Sequence, residues 1–291
     1  MRVLVTGGSG FLGSHVLPLL VADGHHVTAL ARSAAAAEKV TAAGAQAVAG
    51  DLDDPASIDD AFAASGAKVL VNLASLGFGH APAIVAAAEE AGMERAVFVS
   101  TTAVATTLDS RSKAVRLAAE ATVRDSALDW TILRPTMIYG SAGDRNMARL
   151  LRLVRRAPVV PVPGGGRRLQ QPVHVDDLAR AVVAALTASA AVGQTYDIAG
   201  PEPLSLRDVV LAACAAVGRQ PRLVDVPLAP AIAAARAYER VASKPRLKAE
   251  QLQRLAEDKV FDIGPARRDL GYDPRPFALG IRDQARAAVH A

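Results

Sequence analysis

Residues Thr6 to Gly13 read TGGSGFLG and directly follow the apolar run Val3-Leu4-Val5. Few folds accept a strand that breaks into glycines and at once resumes as a helix. Gly7, Gly10 and Gly13 are spaced G-x-x-G-x-x-G. Glycine permits the tight turn and lets backbone come close to a ligand, and the positive end of the following helix favours a bound pyrophosphate. Phe11 and Leu12 stand between the second and third glycines, inside the same contact surface.

The pattern continues as the motif requires. Short β-rich runs at 2–6, 26–31, 45–49, 69–73, 96–100 and 131–134 alternate with Ala-rich helical stretches near 11–22, 34–43, 55–64, 80–91 and 112–126. Strict βα alternation implies a parallel sheet covered on both faces, and right-handed crossovers make it an α/β, doubly wound Rossmann-type sheet. After Gly140 the texture changes to frequent arginine, with Pro158, Pro161, Pro163 and Gly164-Gly165-Gly166 breaking the pattern. The reading is a dinucleotide-binding domain over 1–140. A smaller mixed α/β lobe over 141–291 binds substrate, and some of its segments return to the main sheet.

Composition narrows the partners. Aromatic content is only 4% and the net charge is +4, with arginines scattered and no dense basic block. Stacking platforms for nucleic acid are therefore not expected, nor is a membrane partner, because no segment of about 20 uncharged apolar residues occurs. The single cysteine, Cys214, falls in an apolar helical pattern and reads as a buried thiol. A cytoplasmic protein with a small-molecule ligand is expected, and the apolar Ala-rich stretches 80–91 and 114–123 allow a homodimer.

The second strand speaks to which dinucleotide is bound. Where an Asp or Glu would hold a ribose 2′-OH, roughly 20 residues beyond the glycines, the chain has Ala31 followed by Arg32 and Ser33. A guanidinium without that carboxylate favours a 2′-phosphate, hence NADP(H) over NAD(H). Asp51-Leu52 suits the adenine edge, and Asp51 equally suits a helix cap. Asn72-Leu73-Ala74-Ser75 ends the fourth strand, where backbone meets the cofactor.

Taken with VFVSTT at 97–102, LDWTILRPTMIYG at 128–140, PVHVDDLA at 172–179 and FDIGPARRDLGYDP from Phe261, these runs resemble the extended short-chain dehydrogenase/reductases, the NAD(P)-dependent epimerase/dehydratase-like group. The resemblance spans nearly the whole chain. It implies a cofactor contact at Pro135 and a catalytic set of Ser/Thr after the fifth strand with Tyr-x-x-x-Lys on the next helix. Ser100, Thr101 and Thr102 occupy the first position, with Thr102 expected to face the substrate. Lys113, in an RSKA run, fits the lysine that holds the nicotinamide ribose. The residue four before it is Asp109, and an ungapped count places Arg116 and Ser112 at the Lys and Tyr positions. Neither register has a tyrosine, and the first tyrosine in the chain is Tyr139.

Asp109, Lys113 and Tyr139 are therefore the candidate proton donors of an atypical active site. His174 beside Asp176-Asp177 reads as structural, and no metal site is expected. The resemblance implies an NADP(H)-dependent oxidoreductase or epimerase acting on a carbonyl or secondary alcohol, with a nucleotide-sugar ketoreductase foremost. Gln170 and Gln171 stand where nucleotide-sugar members carry Arg-Asp. The rival reading is a non-catalytic NADP(H)-binding sensor or assembly protein, supported by the missing tyrosine. A pocket over the nicotinamide with a polar group facing it separates the two.

Overall fold

The computed structural model describes residues 1–108, 110–141, 143–144, 146–242 and 249–287, with the backbone alone at Glu250 and Gln251. Asp109 therefore lies outside the described residues. The first half follows the alternation closely: β1 (Arg2–Thr6), α1 (Gly13–Ala22), β2 (His26–Ala31), α2 (Ala34–Ala42), β3 (Gln46–Ala49), α3 (Pro55–Ser65), β4 (Val69–Asn72), α4 (Ala81–Glu90), β5 (Arg95–Val99), α5 (Arg111–Arg124) and β6 (Asp129–Pro135). The remaining strands are β7 (Ile138–Tyr139), β8 (Val159–Pro163), β9 (Leu169–Gln170), β10 (Val173–His174), β11 (Gln194–Ile198), β12 (Leu204–Ser205) and β13 (Arg222–Val226). The remaining helices are α6 (Met147–Arg156), α7 (Val175–Thr187), α8 (Leu206–Ala216), α9 (Leu228–Val241), α10 (Ala249–Arg254), α11 (Gly264–Leu270) and α12 (Phe277–Ala287).

Seven strands form one sheet in the order β11-β6-β5-β4-β1-β2-β3, every pairing parallel. Strands covered on both faces cannot alternate polar and apolar residues, and β1 and β4 are indeed buried almost throughout. One apolar cluster joins β1, α1, α7 and β11 on one face, and the other joins Leu4, Leu70 and Phe98 to α3, α4 and α5. Thus β11 and α7, from the second half of the sequence, belong to the main sheet. The lobe itself is made of short pairs, β13 with β8 and β12 with β9, around a third cluster that contains Cys214.

The terminal motifs act as stitching. Asp177, buried, accepts from the Arg275 backbone amide at 2.9 Å and from its side chain, and also pairs with Arg180. Asp176 takes His15 Nδ1 of α1 at 2.7 Å. Tyr196 donates to Asp269 at 2.9 Å and Tyr272 to the Ala199 carbonyl at 2.7 Å. Ser205 caps α8 by accepting from the Asp208 amide at 3.0 Å.

One charged group lies deeper than any of these. Glu120 on α5 is fully buried. It accepts from Arg134 Nε at 2.9 Å, Arg124 at 2.8 Å and the Ser100 hydroxyl at 2.6 Å, tying α5 to β6 and to the end of β5. Burial pushes its pKa up, but the hydrogen bonds from Arg134 and Ser100 outweigh this and hold it below the ordinary glutamate value. Glu120→Ala strands Arg134 half-buried without its partner and should cost about 3–5 kcal/mol in chemical denaturation. Because the folded-state pKa is lowered, the contribution is present above the unfolded value and is lost as pH falls through the folded one. The wild type should therefore lose stability steeply below about pH 4. Glu120→Gln should flatten that part of the profile.

Candidate active site

The glycine turn is as tight as a backbone allows. At Gly7, φ is +72°, and a Cβ there would lie 2.7 Å from the Ala74 amide nitrogen and 2.8 Å from the Leu73 carbonyl carbon. At Gly13 a Cβ would lie 2.1 Å from the Gly8 carbonyl oxygen, so the start of α1 rests directly on the turn. Gly10 differs: a Cβ would meet only the Gly7 carbonyl oxygen, at 3.1 Å, because its outer side is open. The Phe11 and Leu12 amides find no acceptor among the described residues. Two unspent donors at a helix N-terminus, beside a glycine with open space, fit a pyrophosphate. Asn72 holds the opposite wall, accepting from Thr6 Oγ1 at 2.5 Å and donating to the Ala74 carbonyl at 3.1 Å. Ser75 accepts from the Gly77 amide and shapes the turn that follows.

A second cavity, about 510 Å³, opens beyond the ends of β2 and β3. Arg32, Ser33 and Asp51 line it together. Arg32 is exposed and has no hydrogen-bond or ion-pair partner among the described residues. Ser33 caps α2, accepting from the Ala36 amide at 3.3 Å. Asp51 does not cap α3, whose N-cap position is Asp54; its carboxylate folds a local turn by accepting from the Asp53 amide at 3.1 Å. Leu52 packs against the β4 side of the core instead of lining this cavity.

The larger of the two cavities, about 820 Å³, lies at the C-terminal ends of β5 and β6, where the lobe folds over the sheet. Thr101, Thr102, Thr136 and Met137 face it from the sheet side, and Gln170, Arg254, Glu257 and Lys259 from the lobe side. Gln171, expected nearby, is fully spent: its amide donates to the Gly200 carbonyl at 2.7 Å and accepts from the Phe261 amide at 2.9 Å. That crosslink fixes the wall segment 254–261. Glu257 latches the same segment to the loop after β5, accepting from the Thr106 hydroxyl at 2.6 Å and the Thr107 amide at 2.8 Å.

The expected catalytic residues divide. Thr102 reaches the pocket, but its hydroxyl donates to the Pro135 carbonyl at 3.2 Å. Thr101 is the better donor toward a ligand: it accepts from the Ala103 amide at 3.2 Å and keeps its own proton free. Ser100 is turned into the protein by Glu120 and does not line the cavity. Lys113 donates to the Thr106 carbonyl at 2.6 Å, behind the threonine loop. The Arg116 guanidinium lies on the turn after β4, where a Cβ on Gly77 would come within 2.9 Å of it.

Tyr139 is not brought to the pocket. It is fully buried, with its ring edge-on to His174 at 5.2 Å and tilted against Phe277 at 5.0 Å. Burial pushes the Tyr139 phenol far above its usual range, with Asp177 adding to the rise, and its hydroxyl has no hydrogen-bond partner among the described residues. Such a group cannot exchange a proton with a ligand it never meets. His174 caps α7 through the Asp176 amide at 3.3 Å, and burial, then Arg275, lowers its pKa.

Glu257, Glu120 and Lys259 are among the residues that escaped the sequence reading. Glu120 repeats at i+4 from Arg116 and precedes Arg124 by four, which reads as a solvated helix face. Lys259 sits in an ordinary charged run before Phe261, and only the fold brings it to the pocket.

A phosphate-cradling βα turn, a cleft beside it and a polar-floored pocket at the strand ends define a dinucleotide-binding protein of Rossmann type. The comparisons agree. The chain belongs to the NAD(P)H-binding family, whose profile matches residues 7–189. It is 29% identical to a 4-hydroxy-2-methyl-3-oxo-4-farnesyl-3,4-dihydroquinoline-1-oxide ketoreductase of Stigmatella aurantiaca, covering 94% of this chain and 92% of that protein. It is also 29% identical to a 2-alkyl-3-oxoalkanoate reductase of Stenotrophomonas maltophilia (strain K279a), covering 94% and 95%. The fold matches that of a UDP-glucose 4-epimerase of Thermus thermophilus, solved with NAD, with a TM-score of 0.76, 22% identity and full coverage of both chains. No helix among the described residues is long and apolar enough to cross a membrane, and no cluster of side chains there could hold a metal ion.

Tyr139→Phe checks the demotion of that residue. It removes an unpaired buried hydroxyl, so stability should be unchanged or rise by up to about 1 kcal/mol. Any NAD(P)H-dependent turnover should stay within about twofold of wild type, since a group outside the pocket contributes nothing to the barrier.

Proposed function

We propose that the protein is an NADPH-dependent ketoreductase that reduces a carbonyl group to a secondary alcohol. The observation that carries this reading is the pocket at the ends of β5 and β6, with the Thr101 hydroxyl free to donate into it. A sensor that never uses its hydride needs no such space. The two ketoreductase-type relatives support the same direction.

The Phe11 and Leu12 amides would hold the pyrophosphate, and Arg32 with Ser33 the 2′-phosphate. When bound, the reduced nicotinamide supplies a hydride to the carbonyl carbon. Thr101 orients the carbonyl oxygen and stabilises the charge that develops on it. Thr102 fixes that loop to Pro135, and Lys113 and Glu257 fix its far end at Thr106 and Thr107. The proton that completes the alcohol would come from water, because neither register carries a tyrosine and the described lining of the pocket has none. This favours a substrate already prone to reduction, such as a ketone activated by a neighbouring carbonyl. A sugar nucleotide is the wider candidate. The lobe wall offers it mainly Val209, Val210, Leu206, Leu255 and Phe261, surfaces better suited to an apolar body.

Oxidation of NADPH followed by its near-ultraviolet absorbance, against a panel of β-dicarbonyl ketones, simple ketones and keto-sugar nucleotides, tests the reading. Turnover of a ketone supports it, and tight NADPH binding with no turnover of any panel member returns the protein to the sensor class. Arg32→Ala should raise the KM for NADPH by about 10- to 100-fold, the loss of a charge-assisted phosphate contact, and change that for NADH by less than about threefold. Equal losses for both cofactors would remove the 2′-phosphate assignment. Thr101→Val should lower kcat by about 10²-fold with little effect on cofactor affinity, as for other lost donors to a developing oxyanion.

A further inference from the structure

The lobe wall of the large pocket holds two hydrogen-bond donors that nothing among the described residues uses. Lys259 lines the cavity half-buried, and its ammonium donates to no acceptor there. The side-chain amide of Gln170 is buried, lines the same cavity and its nitrogen has no partner. The two belong to one patch, because the Lys259 amide donates to the Leu169 carbonyl at 2.9 Å, one residue before Gln170.

The carboxylates flanking Lys259 in sequence are committed elsewhere. Glu257 holds the threonine loop, and Asp258 accepts from the Leu169 amide at 2.8 Å and from Arg168 at 3.2 Å. An ammonium taken partly out of water is costly unless something pairs with it. Burial lowers the Lys259 pKa, Glu257 raises it and Arg254 lowers it. One wall of the cavity thus carries a partly desolvated cation and an unspent amide, and no described acceptor is hydrogen-bonded to either.

We infer that Lys259 and Gln170 form an anion subsite and that the substrate is an oxo-acid, its carboxylate held by these two donors and its apolar body lying on Val209, Val210 and Leu255. One ammonium beside a neutral amide, with the Glu257 carboxylate near, matches a single negative charge better than the two of a phosphate. The inference rests on reading this cavity as the substrate site, and it names the substrate class that the reductase reading leaves open.

The test compares freshly prepared 3-oxodecanoate with its methyl ester in NADPH-dependent reduction. Wild type should prefer the acid in kcat/KM by about 10- to 100-fold, the size of one charge-assisted contact. In Lys259→Met that acid-to-ester ratio should collapse toward unity, and in Lys259→Arg most of it should return. Equal use of acid and ester by wild type, or an unchanged ratio in Lys259→Met, overturns the subsite. Because ester reduction is read in the same variant, loss of the fold is told apart from loss of the preference.

Calorimetric binding to the NADP⁺-loaded protein keeps the subsite testable if no ketone is reduced. Decanoate should bind, decanol should bind about 10-fold or more weakly, and the difference should vanish in Lys259→Met. Decanoate no tighter than decanol overturns the inference whatever the enzyme reduces. Decyl phosphate bound more than about 10-fold tighter than decanoate overturns the carboxylate assignment in favour of a phosphate.

Discussion

Everything in the site is positioned from one close contact, the backbone of Gly7 lying against that of Leu73 and Ala74. No side chain fits between them. That contact brings the turn after β1 onto the end of β4, and the Asn72 side chain holds it there through Thr6. With β1 and β4 adjacent at the centre of the sheet, α1 must start where it does, pressed onto Gly8. Its unspent amides then face the crevice above the strand ends. This is the general logic of doubly wound sheets, in which ligands bind beyond the carboxyl ends of the strands where the strand order reverses. Here β1 has β4 on one side and β2 on the other.

The second half of the chain is less a separate domain than a set of fastenings. It returns β11 and α7 to the main sheet, then ties its own terminal motif across them through Asp177, Asp269 and Tyr272. Those residues lie in the most family-like parts of the sequence, yet they touch no candidate ligand. Their chemistry is that of buried pairs. An aspartate taken out of water is tolerated because Arg275 meets it with both its backbone amide and its guanidinium. What the lobe contributes to the large pocket is the wall segment 254–261, hung from Gln171 and latched by Glu257.

How much of this could be read from residues alone follows from what sets each feature. The strands and helices of the first half were legible to within a residue or two, because βα alternation and glycine spacing are local signals. The cleft shared by Arg32, Ser33 and Asp51 was legible for the same reason, since each follows its own strand closely. Side-chain direction was not legible. Ser100 and Thr102 stand in the expected run, but which hydroxyl keeps its proton depends on Glu120, on the next helix, and on the Pro135 carbonyl. Tyr139 drew attention only as the first tyrosine after a position that lacks one. Its burial is decided by Phe277 and Gly280 from α12, far along the chain. Asp109 lies outside the described residues, and the structure adds nothing to it. Lys259 gave no signal at all, because a lysine in a charged run looks like surface until the lobe folds it inward.

The hanging of the pocket wall on Gln171 has a bearing on biosynthesis. The close contacts of the Gly7 turn are made with Leu73 and Ala74, early in the chain, although α1 beside it is covered only when α7 arrives. The lobe wall of the large pocket waits for Phe261, whose amide must reach back to close on Gln171. The turn and the wall of the large pocket are thus completed at opposite ends of synthesis.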